Sequence, residues 1–176
     1  MKKNKIWKFF IFFPKNRVWS RIINIWPSNF ITDHCLRAAI ARFFGVQIGR
    51  RAIIRKPVYF SHPRNIIIGD DFQMAGDSHF DAMGKITIGN CVTLGPHVLF
   101  ITGSHEKGPH KDRCGQSYAQ PISIEDGCWI AAGVLIGPGV TIGAGSIVSA
   151  GAVVLRSMPP DSLIAGNPAR VIQVLE

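Results

Sequence analysis

Charge is scarce in this chain of 176 residues. Asp, Glu, Lys and Arg together make up 18%, below the roughly 25% of an ordinary soluble domain. Acids are the scarcer sign, 11 against 20 Lys plus Arg, and none precedes Asp33. The N-terminal segment lacks a long apolar run. Its longest is Phe9 to Phe13, stopped by Pro14, far short of the ~20 residues that span a bilayer as a helix. Lys8 interrupts that stretch and no small-x-small site follows it, which argues against a secretory signal. Cysteine is sparse too. Cys35, Cys91, Cys114 and Cys128 form no CxxC and no metal-finger spacing, so reduced thiols in the cytoplasm are the expectation. Glycine and proline are not lacking, but they recur at regular places, which speaks against a disordered chain.

What charge there is lies unevenly. Lys2, Lys3, Lys5, Lys8, Lys15, Arg17 and Arg21 fall within residues 1–30 without one acid, and supply +7 of the net +9. They interleave with Ile6, Trp7, Phe9, Phe10, Phe12, Phe13, Trp19, Ile22, Ile23 and Trp26. Such a mixture suits peripheral contact with an anionic membrane at the inner face of the cell. It equally suits short helices that pack their aromatics on the body or on a sister subunit. A nucleic-acid partner is not expected, because basic charge for that purpose is more often spread over a folded face.

The rest of the chain repeats every six residues. From Ile48 the blocks read IGRRAI, IRKPVY and FSHPRN; the frame resumes at Ile68, at Ile88 and, after a gap, at Ile124, from where it runs unbroken to Pro159. The first position of every block is apolar, Gly follows it at 49, 69, 89, 95, 137 and 143, and the fifth position is mostly small or β-branched. Three blocks make one coil of a triangular all-β solenoid, each block a short strand and a corner. The leading side chain points inward and stacks on its equivalents, at the ~4.8 Å spacing of neighbouring strands. Gly after it is expected to serve the tight corner, and a large fifth residue is expected to clash. Exposed strand edges at the ends of such a stack need caps. Leu36–Phe44 reads as a short helix ending at Gly45. The organisation expected is therefore an N-terminal basic and aromatic helical segment over 1–45, a β-helix over 46–158 and a C-terminal cap over 159–176. One polar segment without repeat, 106–123, protrudes directly after His105; a loop of that length in a solenoid is often functional. Periodicity does not set the hand of the helix, and a right-handed crossover is the general expectation.

The ordered set of Asp81-Ala82-Met83-Gly84, Thr102-Gly103-Ser104-His105, Ile124-Glu125-Asp126-Gly127-Cys128-Trp129-Ile130, Pro138-Gly139-Val140-Thr141-Ile142-Gly143 and Ala165-Gly166-Asn167-Pro168-Ala169-Arg170 resembles the hexapeptide acyltransferase superfamily. Within it the chain is most similar to the maltose, galactoside and colanic-acid O-acetyltransferases, over about Arg37 to Val174. The resemblance implies a left-handed parallel β-helix, a homotrimer with sites between subunits, and acetyl-CoA lying along the C-terminal coils. It implies transfer of an acetyl group to a sugar hydroxyl, here in a cell-surface polysaccharide precursor, with His105 as catalytic base and no metal. An imidazole with a pKa near 6.5 suits that proton transfer. CoA-contacting positions fall on Ala132, Ala150, Arg156 and Arg170. Relatives often carry a serine after the Trp-Ile pair where this chain has Ala131-Ala132, so a hydroxyl contact is lost there.

Arg156 and Arg170 are the only basic residues after Arg113, and guanidinium matches phosphate oxygens bidentately; a solvated end-cap charge is the bland alternative. Trp129 suits packing on pantetheine, on the loop or on a neighbouring subunit. Asp81, one coil below His105, suits orienting that histidine, binding acceptor hydroxyls, or a purely structural corner. Serine or amino-sugar acetylation is the alternative activity. A γ-type carbonic anhydrase-like zinc enzyme is a weaker rival, because His62, His79, His97 and His105 take block positions three, six, four and six and so point in different directions. A non-catalytic scaffold is the last alternative.

Overall fold

A computed structural model describes residues 18–176; the aromatic residues Trp7, Phe9, Phe10, Phe12 and Phe13 of the tail lie outside the described residues. The chain forms a triangular parallel solenoid. Strands Gln47–Ile48, Ile66–Ile68, Ile86–Ile88, Ile122–Ile124 and Thr141–Ile142 stack as its first face. Ile53–Ile54, Gln73–Met74, Thr93–Leu94, Trp129–Ile130, Ile147–Val148 and Ser162–Gly166 make the second. Val58–Phe60, Ser78–Asp81, Leu99–Ile101, Leu135–Ile136 and Val153–Val154 make the third. Ile66–Ile67 and Ile86–Thr87, which interrupt the six-residue frame, lengthen first-face strands. Ile122 and Ser123 do the same, pairing with Ile86 and Thr87. The solenoid therefore resumes at Ile122 rather than Ile124.

The interior follows the repeat. Ile54, Met74, Leu94, Ile130, Val148 and Ile164 stand in register on the second face, and all are buried. Each contributes about 1.5–3 kcal/mol by leaving water. On the third face Phe60, Phe80 and Phe100 form a ladder with ring centroids 4.9 and 4.7 Å apart, a geometry that adds ~0.5–1.5 kcal/mol per pair beyond area. The expected limit on the fifth position fails at Phe72 and, in the last block, at Met158. Phe72 is fully buried. Its register neighbour in the first coil is Ala52, whose small side chain leaves the room a ring needs.

The glycines after the leading residues act differently from the expectation. The backbone turns with positive φ at the fourth block position instead, at Asp71, Asp77, Cys91 and His97 and then at Gly127, Gly133, Gly139, Gly145 and Gly151. The second-position glycines are needed because the next coil lies against them. A Cβ on Gly69 would sit 2.7 Å from the Gly89 carbonyl oxygen, and one on Gly95 would sit 2.6 Å from the Ala132 nitrogen. Along the corner between the first and second faces a ladder of side chains joins the coils. Asp70 accepts from Arg50 N at 2.8 Å, Asn90 from Asp70 N at 2.9 Å and Asp126 from Asn90 N at 2.7 Å. Those backbone donors hold the Asp70 and Asp126 carboxyls below the ordinary carboxylate range.

Helix α1 (Val18–Ile25), a π-helical turn at Thr32–Leu36 and helix α2 (Arg37–Phe43) close the N-terminal end. The helix read at Leu36–Phe44 is thus α2, preceded by a turn that the sequence pattern did not show. The cap sends one side chain to the open edge of each face. Arg42 donates to Ile48 O at 3.0 Å and Arg37 lies 3.5 Å from Ile54 O. Asn24 accepts from Val58 N at 3.0 Å and donates to Val58 O at 2.9 Å, in place of the strand that is not there. Arg37 is fully buried, paired with Asp33, and donates to Trp26 O at 2.6 Å and Pro27 O at 3.1 Å. At the other end Met158 bridges to Ile142 on the first face. Ala169–Val174 then folds back antiparallel on Ser162–Gly166 and ends the second face. Among the described residues no helix is long and apolar enough to cross a membrane.

Candidate active site

The chain leaves the third coil at Thr102, which is buried and doubly anchored. Its Oγ1 donates to Asp81 O at 2.7 Å and accepts from Gly84 N at 2.9 Å. Beyond it, Gly103–Lys107 and Cys114–Ala119 pair as an antiparallel hairpin. The protruding segment therefore begins before His105. His105 is not at a bare corner but in the first strand of the hairpin, opposite Ser117. The register shifts between His105 and Lys107, an irregularity of the kind that re-aims side chains.

His105 is exposed, and its Nδ1 lies 2.9 Å from the Gly115 carbonyl oxygen. A carbonyl can only accept, so this contact places the proton on Nδ1 and the basic lone pair on Nε2. A Cβ on Gly115 would sit 2.8 Å from Glu106 O; the strands can approach this closely only without a side chain there. Gly115 is a site residue that sequence reasoning missed. Its only signal is a glycine inside a polar segment without repeat.

Asp81 ends its strand opposite Ile101. Its Oδ1 accepts from Ser61 Oγ at 3.1 Å; among the described residues no hydrogen bond joins it to His105. Ser61 Oγ also accepts from Ala82 N at 2.8 Å and lies 3.0 Å from His62 Nδ1. A cavity of about 510 Å³ opens here, lined by Arg21 of α1 and by Tyr59, Ser61, His79 and Asp81 of the third face. Tyr59 and His79 stack at 4.3 Å. Arg21, Tyr59, Ser61 and His79 were not foreseen as neighbours of Asp81, because they meet only through the stacking of the first two coils and the return of α1.

The C-terminal residues spread over two corners and a face. Trp129 projects from the second face, 52% exposed, in register between Thr93 and Ile147. Ala132 and Ala150 share the corner between the second and third faces, where Gly151 N donates to Ala132 O at 2.8 Å. Arg156 lies beyond Val153–Val154 on the next corner, exposed and without a hydrogen-bond or ion-pair partner among the described residues. Arg170 stands on the terminal antiparallel strand, donating to Ala169 O at 2.7 Å. The strands that precede Arg156 and carry Arg170 touch at this end. The four histidines considered for a zinc site take separate surroundings. His79 stacks on Tyr59, His62 lies by Ser61, His97 is 3.8 Å from Asp77, and His105 is held in the hairpin. Among the described residues no three potential ligands gather.

A family model described as bacterial transferase hexapeptide (six repeats) matches residues 121–156. The Escherichia coli K12 protein WcaF, assigned to colanic acid biosynthesis as an acetyltransferase, is 36% identical over 137 residues, covering 78% of this chain and 74% of its own length. The chain belongs to the hexapeptide-repeat acetyltransferases. Galactoside O-acetyltransferase of E. coli K12 is 34% identical over 137 residues, 78% of this chain and 68% of that one. Among solved structures, a hexapeptide-repeat acetyltransferase of Vibrio cholerae complexed with acetyl coenzyme A superposes with a TM-score of 0.81 at 32% identity, covering 90% of this chain and 84% of its own. A galactoside acetyltransferase in complex with coenzyme A gives 0.80 at 32%, over 90% and 78%. For this acetyltransferase the solenoid supplies a regular frame, and the hairpin carries His105 away from it.

Proposed function

We propose that this acetyltransferase moves the acetyl group of acetyl-CoA to a hydroxyl of a sugar, in a precursor of a cell-surface polysaccharide. The observation that carries the reading is His105 Nδ1 against the Gly115 carbonyl, which leaves the unprotonated Nε2 of an exposed side chain to act as base. Nε2 takes the proton of the acceptor hydroxyl as its oxygen attacks the thioester carbonyl carbon. The tetrahedral oxyanion is held by a backbone N–H. On its collapse the C–S bond breaks, and the Nε2 proton goes to the departing CoA sulfur.

The cavity at Asp81 has the chemistry of a sugar subsite: a carboxylate and a hydroxyl for hydrogen bonds to hydroxyls, and the Tyr59 ring for an apolar sugar face. On the CoA side, the backbone at Ala132 and Ala150 lines the pantetheine path, with Trp129 packing on it, and Arg156 and Arg170 meet the phosphates. One solenoid face cannot enclose a CoA arm and an acceptor together, so the site is shared in a homotrimer of closed symmetry.

Incubation with acetyl-CoA and a panel of free, nucleotide-linked and lipid-linked sugars tests the reading. The expected result is CoA release together with an alkali-labile O-acetyl ester. An alkali-stable amide on an amino sugar, or turnover of serine alone, refutes it. Light scattering should give three times the 19.3 kDa chain mass, and a fully active monomer refutes the shared site.

A further inference from the structure

We infer that the N-terminal end of the solenoid is a docking face for an anionic lipid bilayer, with the solenoid axis standing away from the membrane. The inference does not rest on the identity of the acceptor.

The first observation is apolar exposure on one side of the cap. Ile23, Ala38 and Ala41 are buried where α1 and α2 cover the first coil. The other side presents Ile25, Trp26, Phe30, Ile31 and Phe43, of which Phe30, Ile31 and Phe43 are 75%, 70% and 79% exposed. The segment that leads into them is anchored, because Arg37 holds the Trp26 and Pro27 carbonyls. Several large exposed apolar side chains on the outer surface of one cap mark an interaction site.

The second observation is polarity of charge along the axis. Among the described residues, 18–69, which make the cap and the first coil, carry 8 basic side chains and one acid, a net +7, and the sequence before them adds 6 basic side chains and no acid. Residues 70–176 carry the other 6 basic side chains and 10 acids, a net −4. The single acid of the first part, Asp33, is buried against Arg37, and Arg50 and Arg51 are paired with Asp70 and Asp71 of the second coil, so the uncompensated cations among the described residues of this end are Arg21, Arg42, Arg55, Lys56 and Arg64.

Aromatic and aliphatic side chains within a strongly cationic field match the headgroup and upper acyl region of an anionic bilayer. A second copy of this face is a poor partner, since like charges would meet. Nucleic acid matches the charge but offers nothing to Ile25, Ile31 and Phe43. Docked this way, the root of the His105 hairpin on the third coil stands about two strand spacings, ~10 Å, above the first coil.

Co-sedimentation with vesicles of phosphatidylglycerol and phosphatidylcholine, against phosphatidylcholine alone, is the test. The full chain should partition at least ten-fold more strongly onto the anionic vesicles, and should release as salt rises from ~0.05 to ~0.5 M. Phe30→Ser/Ile31→Ser/Phe43→Ser should bind at least ten-fold more weakly with unchanged oligomer mass and acetyl transfer. Lys2→Glu/Lys3→Glu/Lys5→Glu should bind more weakly too, by about five-fold per residue or more, with a shallower salt dependence. Equal or absent binding to the two vesicle types overturns the inference. So does undiminished binding of the Phe30/Ile31/Phe43 variant. Dissociation of the oligomer by that variant would make the face a subunit interface, and preference for duplex DNA over anionic vesicles would make it a nucleic-acid face; either result overturns the inference as well.

Discussion

Replacing His105 separates its two nitrogens. In the structure Nδ1 donates to Gly115 O at 2.9 Å and Nε2 is open. The first contact is worth about 1 kcal/mol, as an exposed neutral hydrogen bond; in the proposed mechanism the second nitrogen takes the acceptor proton. His105→Asn keeps an N–H donor close to where Nδ1 stands, so it can retain the bond to Gly115, yet it has no nitrogen that can accept a proton. His105→Ala loses both. If the base function dominates, the two variants should lose the same activity, 10²–10⁴-fold in kcat, which is about 2.7–5.5 kcal/mol at 1.36 kcal/mol per factor of ten. The hairpin should persist in both, because its ladder runs through Gly103–Ala119 and Ser104–Tyr118 as well. The assay is CoA thiol release at saturating acetyl-CoA, with CoA affinity measured in parallel by calorimetry. Unchanged CoA affinity with kcat down equally in both variants is the expected result. Near-normal turnover in His105→Asn would show that the bond to Gly115, not the base, is what His105 provides, and would refute the reasoning.

Arg156→Ala and Arg170→Ala should each raise the Kd for CoA about ten- to hundred-fold, at ~1.5–3 kcal/mol per charge-assisted contact, and the discrimination against dephospho-CoA should fall in whichever of them reads the 3′-phosphate. Asn24→Ala should lower stability by about 1–3 kcal/mol in a urea titration, since it strips both backbone groups of Val58 of their partner. Gly69→Ala should cost about as much or more, because its Cβ would meet Gly89 O at 2.7 Å. The Asp126 carboxyl is held below its ordinary 3.8 by the Asn90 donors, so its stabilisation is present above that value and lost as pH falls through the lowered one. The melting temperature of Asp126→Asn should therefore lie below that of the parent at neutral pH and converge with it in strong acid; a constant gap would show that the carboxylate charge is not involved.

The periodicity of six, the inward stack of leading residues and the C-terminal cap are all legible in the chain, because each is a local rule repeated many times. One inward aliphatic per block admits no other way to bury itself than on the block above and the block below. The position of His105 before a non-repeating segment is legible for the same reason, as the place where the rule stops. Local rules also mislead where two causes produce one residue. Gly at the second position reads as a turn glycine, yet Gly69 and Gly95 answer to the approach of the next coil, and the turns fall two residues later on Asp71 and His97.

The tertiary structure alone decided what depends on contacts between distant segments. His105 is oriented in its hairpin by an acceptor ten residues away, Gly115, in a stretch with no periodicity to announce a strand. The cavity at Asp81 draws on Arg21, Tyr59, Ser61 and His79, residues joined only when the first coil stacks under the second and α1 returns across it. The closing of the three open edges by Asn24, Arg37 and Arg42 has no signature in the sequence, because any polar side chain of suitable reach can satisfy an unpaired backbone group, and only the packing of the cap selects which one does.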